Sequence, residues 1–155
     1  MSFPRASGVL LHPTSLPGRY GLGDLGPAAF EFIDLLASGR QRIWQVLPLG
    51  PTGYGDSPYQ CFSAFAGNPL LISPEQLVED GWLAASNIGQ PLAPSAAIDF
   101  PAVIAHPHTL WPRVLERFEA SGSSATRDRF DRFCATHADW LNDYALFMAV
   151  KDAHD

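Results

Sequence analysis

Two short runs, "SGVLLHP" (Ser7 to Pro13) and "RIWQVLPL" (Arg42 to Leu49), are apolar at neighbouring as well as alternate positions. A strand with one wet face alternates, whereas a strand buried on both faces does not. The pattern therefore predicts two strands of a parallel sheet, at 7–13 and 42–49. Between them "GPAAFEFIDLLASG" reads as a helix, with Pro27 at its first position and Gly39 just past its end. Glu31, Asp34 and Ser38 fall on one side of that helix, and Phe30, Phe32, Ile33, Leu35 and Leu36 cover the rest. A largely buried helix follows. Strand, helix, strand is a βαβ unit with a right-handed crossover.

The pattern changes near Pro69. In "SPEQLVEDG", Ser73 stands as N-cap, Pro74 as the first helical residue and Gln76 at the third, which is a capping-box arrangement. Residues 84–108 are rich in proline and show no clear period, as expected of a long connection. A helix over 109–120 buries Leu110, Val114, Leu115 and Phe118. The longest helix is expected over Arg127 to Lys151, with Phe130, Phe133, Cys134, Trp140, Leu141, Tyr144, Phe147 and Met148 as its apolar stripe.

Composition supports that division. Within the first 69 residues lie 10 of the 13 glycines and 8 of the 14 prolines. The expected boundary divides the chain into 1–69 and 70–155. At 155 residues, 46% hydrophobic and 17% charged, the chain is globular in composition. Its net charge of -6, with no basic cluster, argues against nucleic acid as a partner. Cys61 and Cys134 are too few for a disulfide framework and have no CxxC partner for a metal. Nothing in the spacing asks for a cofactor. No apolar run reaches the ~18 residues of a membrane span. The N-terminus lacks a signal peptide's apolar segment, so the expected location is the cytoplasm.

Ligands of α/β folds sit at the carboxyl ends of the strands, which singles out two long loops. They are "HPTSLPGRYGLGDLG" (His12 to Gly26) and "GPTGYGDSPYQCFSAFAGNP" (Gly50 to Pro69). Asp24 and Asp56 are their carboxylates, and a carboxylate pair is what glycosidic-bond chemistry needs. Capping of the helix at Pro27 or of a nearby turn by Asp24, and fixing of a glycine-rich turn by Asp56, is the simpler reading of each. His12, Ser15 and Asp24 have the residue types of a triad without a nucleophile elbow. Gly21-x-Gly23-x-x-Gly26 fits the letters of a dinucleotide fingerprint but lies too far beyond the strand. Tyr54 and Tyr59 suit a sugar, whose apolar face stacks on a ring, and Ser57 offers both a donor and an acceptor. Two tyrosines on a proline-stiffened loop suit a packed surface lid equally well.

The strings "GVLLHPTSLPG", "YGLGDLGPAA", "QRIWQVLPLGPTGYGDSPYQ", "SAFAGNPLLISPEQL" and "WLNDYALFMAVKDAH" closely resemble the N-terminal region of the amylomaltases. These are the 4-alpha-glucanotransferases of glycoside hydrolase family 77. The resemblance covers about Gly8 to His154 and is weakest over 84–126. It implies an α/β fold: an incomplete (β/α)8 barrel contributing its first two strands, followed by a mainly helical inserted subdomain. It also implies α-1,4-glucans and maltooligosaccharides as partners, and a retaining double displacement by an Asp nucleophile and a Glu acid/base. No residue here matches those catalytic motifs, which the resemblance places in a missing C-terminal part of the barrel. Substrate binding does carry over. Tyr59 and Ser57 match residues that hold the glucan beside the cleaved bond, and Tyr54 matches part of a second glucan surface. That surface has a tyrosine where this sequence has Phe100, which can stack but lacks the hydroxyl. A non-catalytic glucan-binding fragment and a truncated reading frame are the alternatives.

Overall fold

The computed structural model describes residues 4–92 and 97–154. Strand β1 (Gly8–Leu10) pairs in parallel with β2 (Ile43–Gln45), Gly8 against Ile43, Val9 against Trp44 and Leu10 against Gln45. Both strands are shorter than expected. The chain turns at Pro13–Ser15 into a single 3-10 turn capped by His12, and Pro48 has no amide hydrogen to give a ladder.

Helix α1 (Pro27–Ser38) has the expected bounds, and the Gly39 N–H closes it onto Leu35 O and Ala37 O. Its Phe32 meets Trp44 of β2 edge-on, with ring centroids 5.1 Å apart. Trp44 Nε1 donates to Leu11 O at 2.7 Å, so helix and sheet are tied through one indole. The expectation that α1 is largely buried is not met. Only Ala29 and Leu36 are buried, while Phe30 and Leu35 are 55% and 64% exposed. No other described element makes extensive contact with α1.

Helix α2 (Pro74–Glu79) starts at Ser73, whose Oγ accepts from Gln76 N at 3.5 Å. The reciprocal half of the capping box is absent, because Gln76 Nε2 donates forward to Asp80 Oδ1 at 3.0 Å. Helix α3 (Phe100–Ser121) replaces much of the expected connection over 84–108. Asp99 caps it by accepting from Ala102 N at 3.1 Å, and Pro101 lies in the first turn, where a missing N–H leaves nothing unpaired. Pro107 and Pro112 sit inside the helix. The expected single helix over 127–151 is two helices, α4 (Ser124–Thr136) and α5 (Leu141–His154). The break comes where His137 leaves helical geometry (φ -111, ψ 18) and its carbonyl accepts from both Trp140 N and Leu141 N. Beyond the break, Trp140 stacks on Phe65 and Phe147 meets Phe62, at 5.8 and 5.7 Å between centroids.

The core lies where the loop after β1 meets α3. Leu16, Tyr20, Leu22, Leu71, Val103 and Leu110 are buried there, and Tyr20 stacks flat on His106 with centroids 4.5 Å apart. Leu25 N donates to Leu71 O at 3.0 Å and Leu92 N to Arg19 O at 2.9 Å, so backbone pairing crosses the compositional boundary at Pro69. This packing sets the N-terminal end of α3 beside both long loops. Among the described residues, no helix is long and apolar enough to cross a membrane.

Candidate functional site

The loop from Gly50 to Pro69 is closed at its mouth and open at its tip. Asn68 N donates to Leu49 O at 2.8 Å, Phe62 N donates to Pro51 O at 3.3 Å, and Thr52 bridges Cys61 as an antiparallel pair. At the tip, Asp56 N donates to Gly53 O and Gln60 N to Ser57 O, at 3.2 and 3.1 Å. The turn between these bonds needs two left-handed residues, Gly55 (φ 67) and Asp56 (φ 54). Glycine adopts that conformation freely, and aspartate is one of the few other residues that tolerate it. The pinned turn displays Tyr54 and Tyr59, which are 90% and 70% exposed. Ser57 Oγ accepts from Tyr59 N at 3.3 Å, and its O–H remains a donor.

Behind this tip is a cleft of about 160 Å³, walled by His12, Thr14, Leu47, Asp56, Asn68 and Phe100. That is roughly ten times the ~10–15 Å³ needed to hold one water. Phe100 reaches it because α3 begins at that residue and packs on the Pro69–Leu71 turn. Asn68 is buried, with Oδ1 accepting from Leu70 N at 3.0 Å. Of the residues singled out in the sequence, the structure therefore brings His12, Ser15, Asp56 and Phe100 onto one cleft. Tyr54, Ser57 and Tyr59 stand on the loop tip at its edge, next to Asp56 and Pro58 in the lining.

The remaining candidates have structural roles. Asp24 Oδ1 accepts from Gly26 N at 2.9 Å, fixing the turn that leads into α1. Burial pushes its carboxyl above the usual range, and repulsion from Glu75 adds to this, against hydrogen bonds from Ser73 and the Gly26 N–H. His12 pairs with Thr14 rather than with Asp24, so the triad letters do not assemble. The glycine run serves packing: Gly23 lies against the Pro13 and Leu16 carbonyls where a Cβ has no room, and its N–H donates to Thr14 O at 3.2 Å.

His12, one of the triad letters, lies on the wall of the cleft. Its Nδ1 accepts from Thr14 N at 3.4 Å and lies 2.7 Å from Thr14 Oγ1. Its Nε2 is buried and has no hydrogen-bond partner among the described residues. No letter pattern announces an unmet hydrogen bond, which exists only once the ring is buried. Exposed aromatic faces, a hydroxyl and a partly polar cleft together form a surface suited to a carbohydrate.

Known proteins resemble this chain along nearly its whole length. Residues 11–155 match the sequence profile of the 4-alpha-glucanotransferase family. The chain is 49% identical over 152 residues to the 4-alpha-glucanotransferase of Synechocystis sp., covering 97% of this chain and 30% of that protein. It is 50% identical over 157 residues to the Thermus thermophilus 4-alpha-glucanotransferase, covering 99% of this chain and 30% of the relative. Among solved structures, the amylomaltase of Streptococcus agalactiae in complex with acarbose superposes with a TM-score of 0.86 at 34% identity, over 97% of this chain and 30% of that one. The chain thus spans about 30% of the length of these relatives. With the family profile matched along nearly its whole length, the chain belongs to the 4-alpha-glucanotransferases of glycoside hydrolase family 77.

Proposed function

We propose that this chain supplies one wall of the glucan cleft of a 4-alpha-glucanotransferase. In this reading 1–69 contributes the first two βα units of a (β/α)8 barrel, and 70–155 a helical subdomain inserted after them. The observation that carries the reading is the pinned loop after β2. It holds two exposed tyrosine rings and a serine hydroxyl at the carboxyl end of a parallel strand, beside a cleft lined by Phe100. Tyr59 stacks on a glucose ring, Ser57 hydrogen-bonds a hydroxyl, and Tyr54 with Phe100 offers a second apolar surface.

The reaction proposed for the whole protein is transfer of an α-1,4-glucan segment by retaining double displacement. An Asp displaces the leaving sugar while a Glu protonates its oxygen. The 4-hydroxyl of an acceptor sugar, deprotonated by the same Glu, then releases the segment. In this reading the carboxylates lie outside this chain, which spans about 30% of its relatives' length. Asp24 and Asp56 do not replace them.

Titration with maltoheptaose, read by tryptophan fluorescence, tests the binding role. Saturable binding is expected, weakened about tenfold by Tyr59→Ala through loss of one stacking contact. No saturable change would count against the reading. The 155-residue chain alone is expected to release no glucose from maltotriose, and turnover by it would place catalysis in this chain.

A further inference from the structure

We propose that the groove between α3 and the loop that follows α2 is a second oligosaccharide-binding surface, with Trp82 as its aromatic platform and Arg113, Glu116 and Asn87 as its polar contacts. It rests on the glucan reading above and adds a site that shares no residue with the cleft behind the loop after β2. The groove measures about 700 Å³, within the roughly 300–1,000 Å³ of small-molecule sites. One wall is α3. Arg113, Glu116 and Arg117 stand there at i, i+3 and i+4, the spacing that puts side chains on one face of a helix. The chain from Gly81 to Asn87 supplies the other wall, and its own bonds hold it in place. Trp82 N and Leu83 N both donate to Leu77 O, at 2.8 and 3.0 Å, and Leu83 is buried. Asn87 N donates to Ala84 O at 2.8 Å. Arg117 Nε donates to Gly81 O at 3.3 Å, which ties the two walls together.

The side chains on this groove keep their binding capacity. Arg113 and Glu116 are exposed and, one helical turn apart, form neither an ion pair nor a hydrogen bond among the described residues. Arg117 commits only Nε, so its terminal NH2 groups remain donors. The Trp82 ring is half-buried, with its centroid 6.3 Å from that of Phe118, and its indole N–H has no acceptor among the described residues. That nitrogen also keeps surface that water can reach, because the sealed, unpartnered side-chain atom of the described residues is His12 Nε2 alone. An accessible ring amid planar polar groups suits a pyranose, whose C–H face packs on the ring while its hydroxyls meet the groups around it. The mixture of donors and acceptors selects the ligand. The guanidinium groups donate, the Glu116 carboxylate accepts and the Asn87 amide does both, which matches a run of neighbouring hydroxyls. An anion would be drawn to the arginines but repelled by Glu116 in the same groove. With both walls already held by hydrogen bonds, binding orders little backbone.

Spectra that correlate 1H with 15N in the 155-residue chain test this site by site. Added maltoheptaose is expected to move the Trp82 indole and Asn87 side-chain amide signals, in the wild type and equally in Tyr59→Ala, which weakens only the loop tip. Trp82 packs on Phe118, so the groove is altered instead at its two exposed, unpaired charges. The maltoheptaose concentration that half-completes the Trp82 shift is expected to rise about tenfold in the double variant Arg113→Ala, Glu116→Ala, which is expected to melt as wild type does. An unchanged half-point in that variant would overturn the proposal. So would Trp82 and Asn87 signals that stay still while the Gly53 and Gly55 amides of the loop tip move, a result that leaves the glucan reading standing. Signals that follow inorganic phosphate at lower concentration than maltoheptaose would also overturn it and make the groove an anion site. A chain in which neither set of signals moves with maltoheptaose would sink the glucan reading, and this surface with it.

Discussion

Asp24 shows how a residue with the letters of catalysis can be occupied by structure. Its carboxyl holds the Gly26 N–H and faces Ser73, and burial raises its affinity for a proton in the folded state. A folded state that binds the proton more tightly than the unfolded state gains stability from protonation. That contribution is complete below the ordinary carboxylate range and is lost as pH rises through the raised value. Asp24→Asn keeps an oxygen for the Gly26 N–H without the buried charge. The variant is expected to melt above wild type at pH 7, with the difference closing as pH falls below about 4, the ordinary carboxylate range. A melting difference independent of pH would show that the charge is not the cause. Asp56 makes the complementary case, since its backbone rather than its charge is under constraint. At φ 54, Asp56→Ala is expected to cost about 1 kcal/mol by thermal unfolding, and Asp56→Asn almost nothing. Equal melting of the two would mean that the turn relaxes.

At the scale of elements, legibility follows the local signals. Pro27, Gly39 and Ser73 mark the ends of α1 and the start of α2, and the structure uses each at the expected position. The first part of α3 is hidden in a proline-rich stretch that ends at Pro107, although its start carries a local signal in Asp99 as N-cap and Pro101 in the first turn, whereas the helix expected over 109–120 lies within α3. Leu110, only 1% exposed, and the Tyr20–His106 stack anchor that helix through tertiary contacts, which outweigh local propensity. The break between α4 and α5 carries no Gly or Pro, so only contacts such as Phe65 on Trp140 reveal it. The loop after β2 is legible as an irregular wall because its glycines and tyrosines are local facts. The cleft behind it is not, because it is assembled from β1's exit, the loop after β2 and the first turn of α3. A prediction follows for the exposed Pro112, whose ring denies α3 one backbone hydrogen bond. Pro112→Ala is expected to raise stability by about 1–3 kcal/mol in chemical denaturation. A loss of stability would show that the proline shapes the helix to its neighbours.

The whole molecule presents its apolar surface in an unusual place. Parallel strands are normally covered on both faces, yet Val9, Leu10 and Ile43 are 37%, 57% and 50% exposed. The sheet has two strands among the described residues, a size that is marginal by itself in water. Phe30, Ile33 and Leu35 of α1 are exposed as well. In the barrel proposed above these positions face further strands and helices. Water-exposed strand edges and apolar faces of this kind pair with whatever is available. The isolated 155-residue chain is therefore expected to enhance the fluorescence of an apolar dye such as ANS. Its sedimentation coefficient is expected to rise between micromolar and hundred-micromolar concentrations. Co-expression with the remainder of a family member's barrel is expected to abolish both effects. A chain that stays monomeric and dye-free across that range would mean that these faces close on each other in solution, and that the fold does not need further strands or helices to hide them.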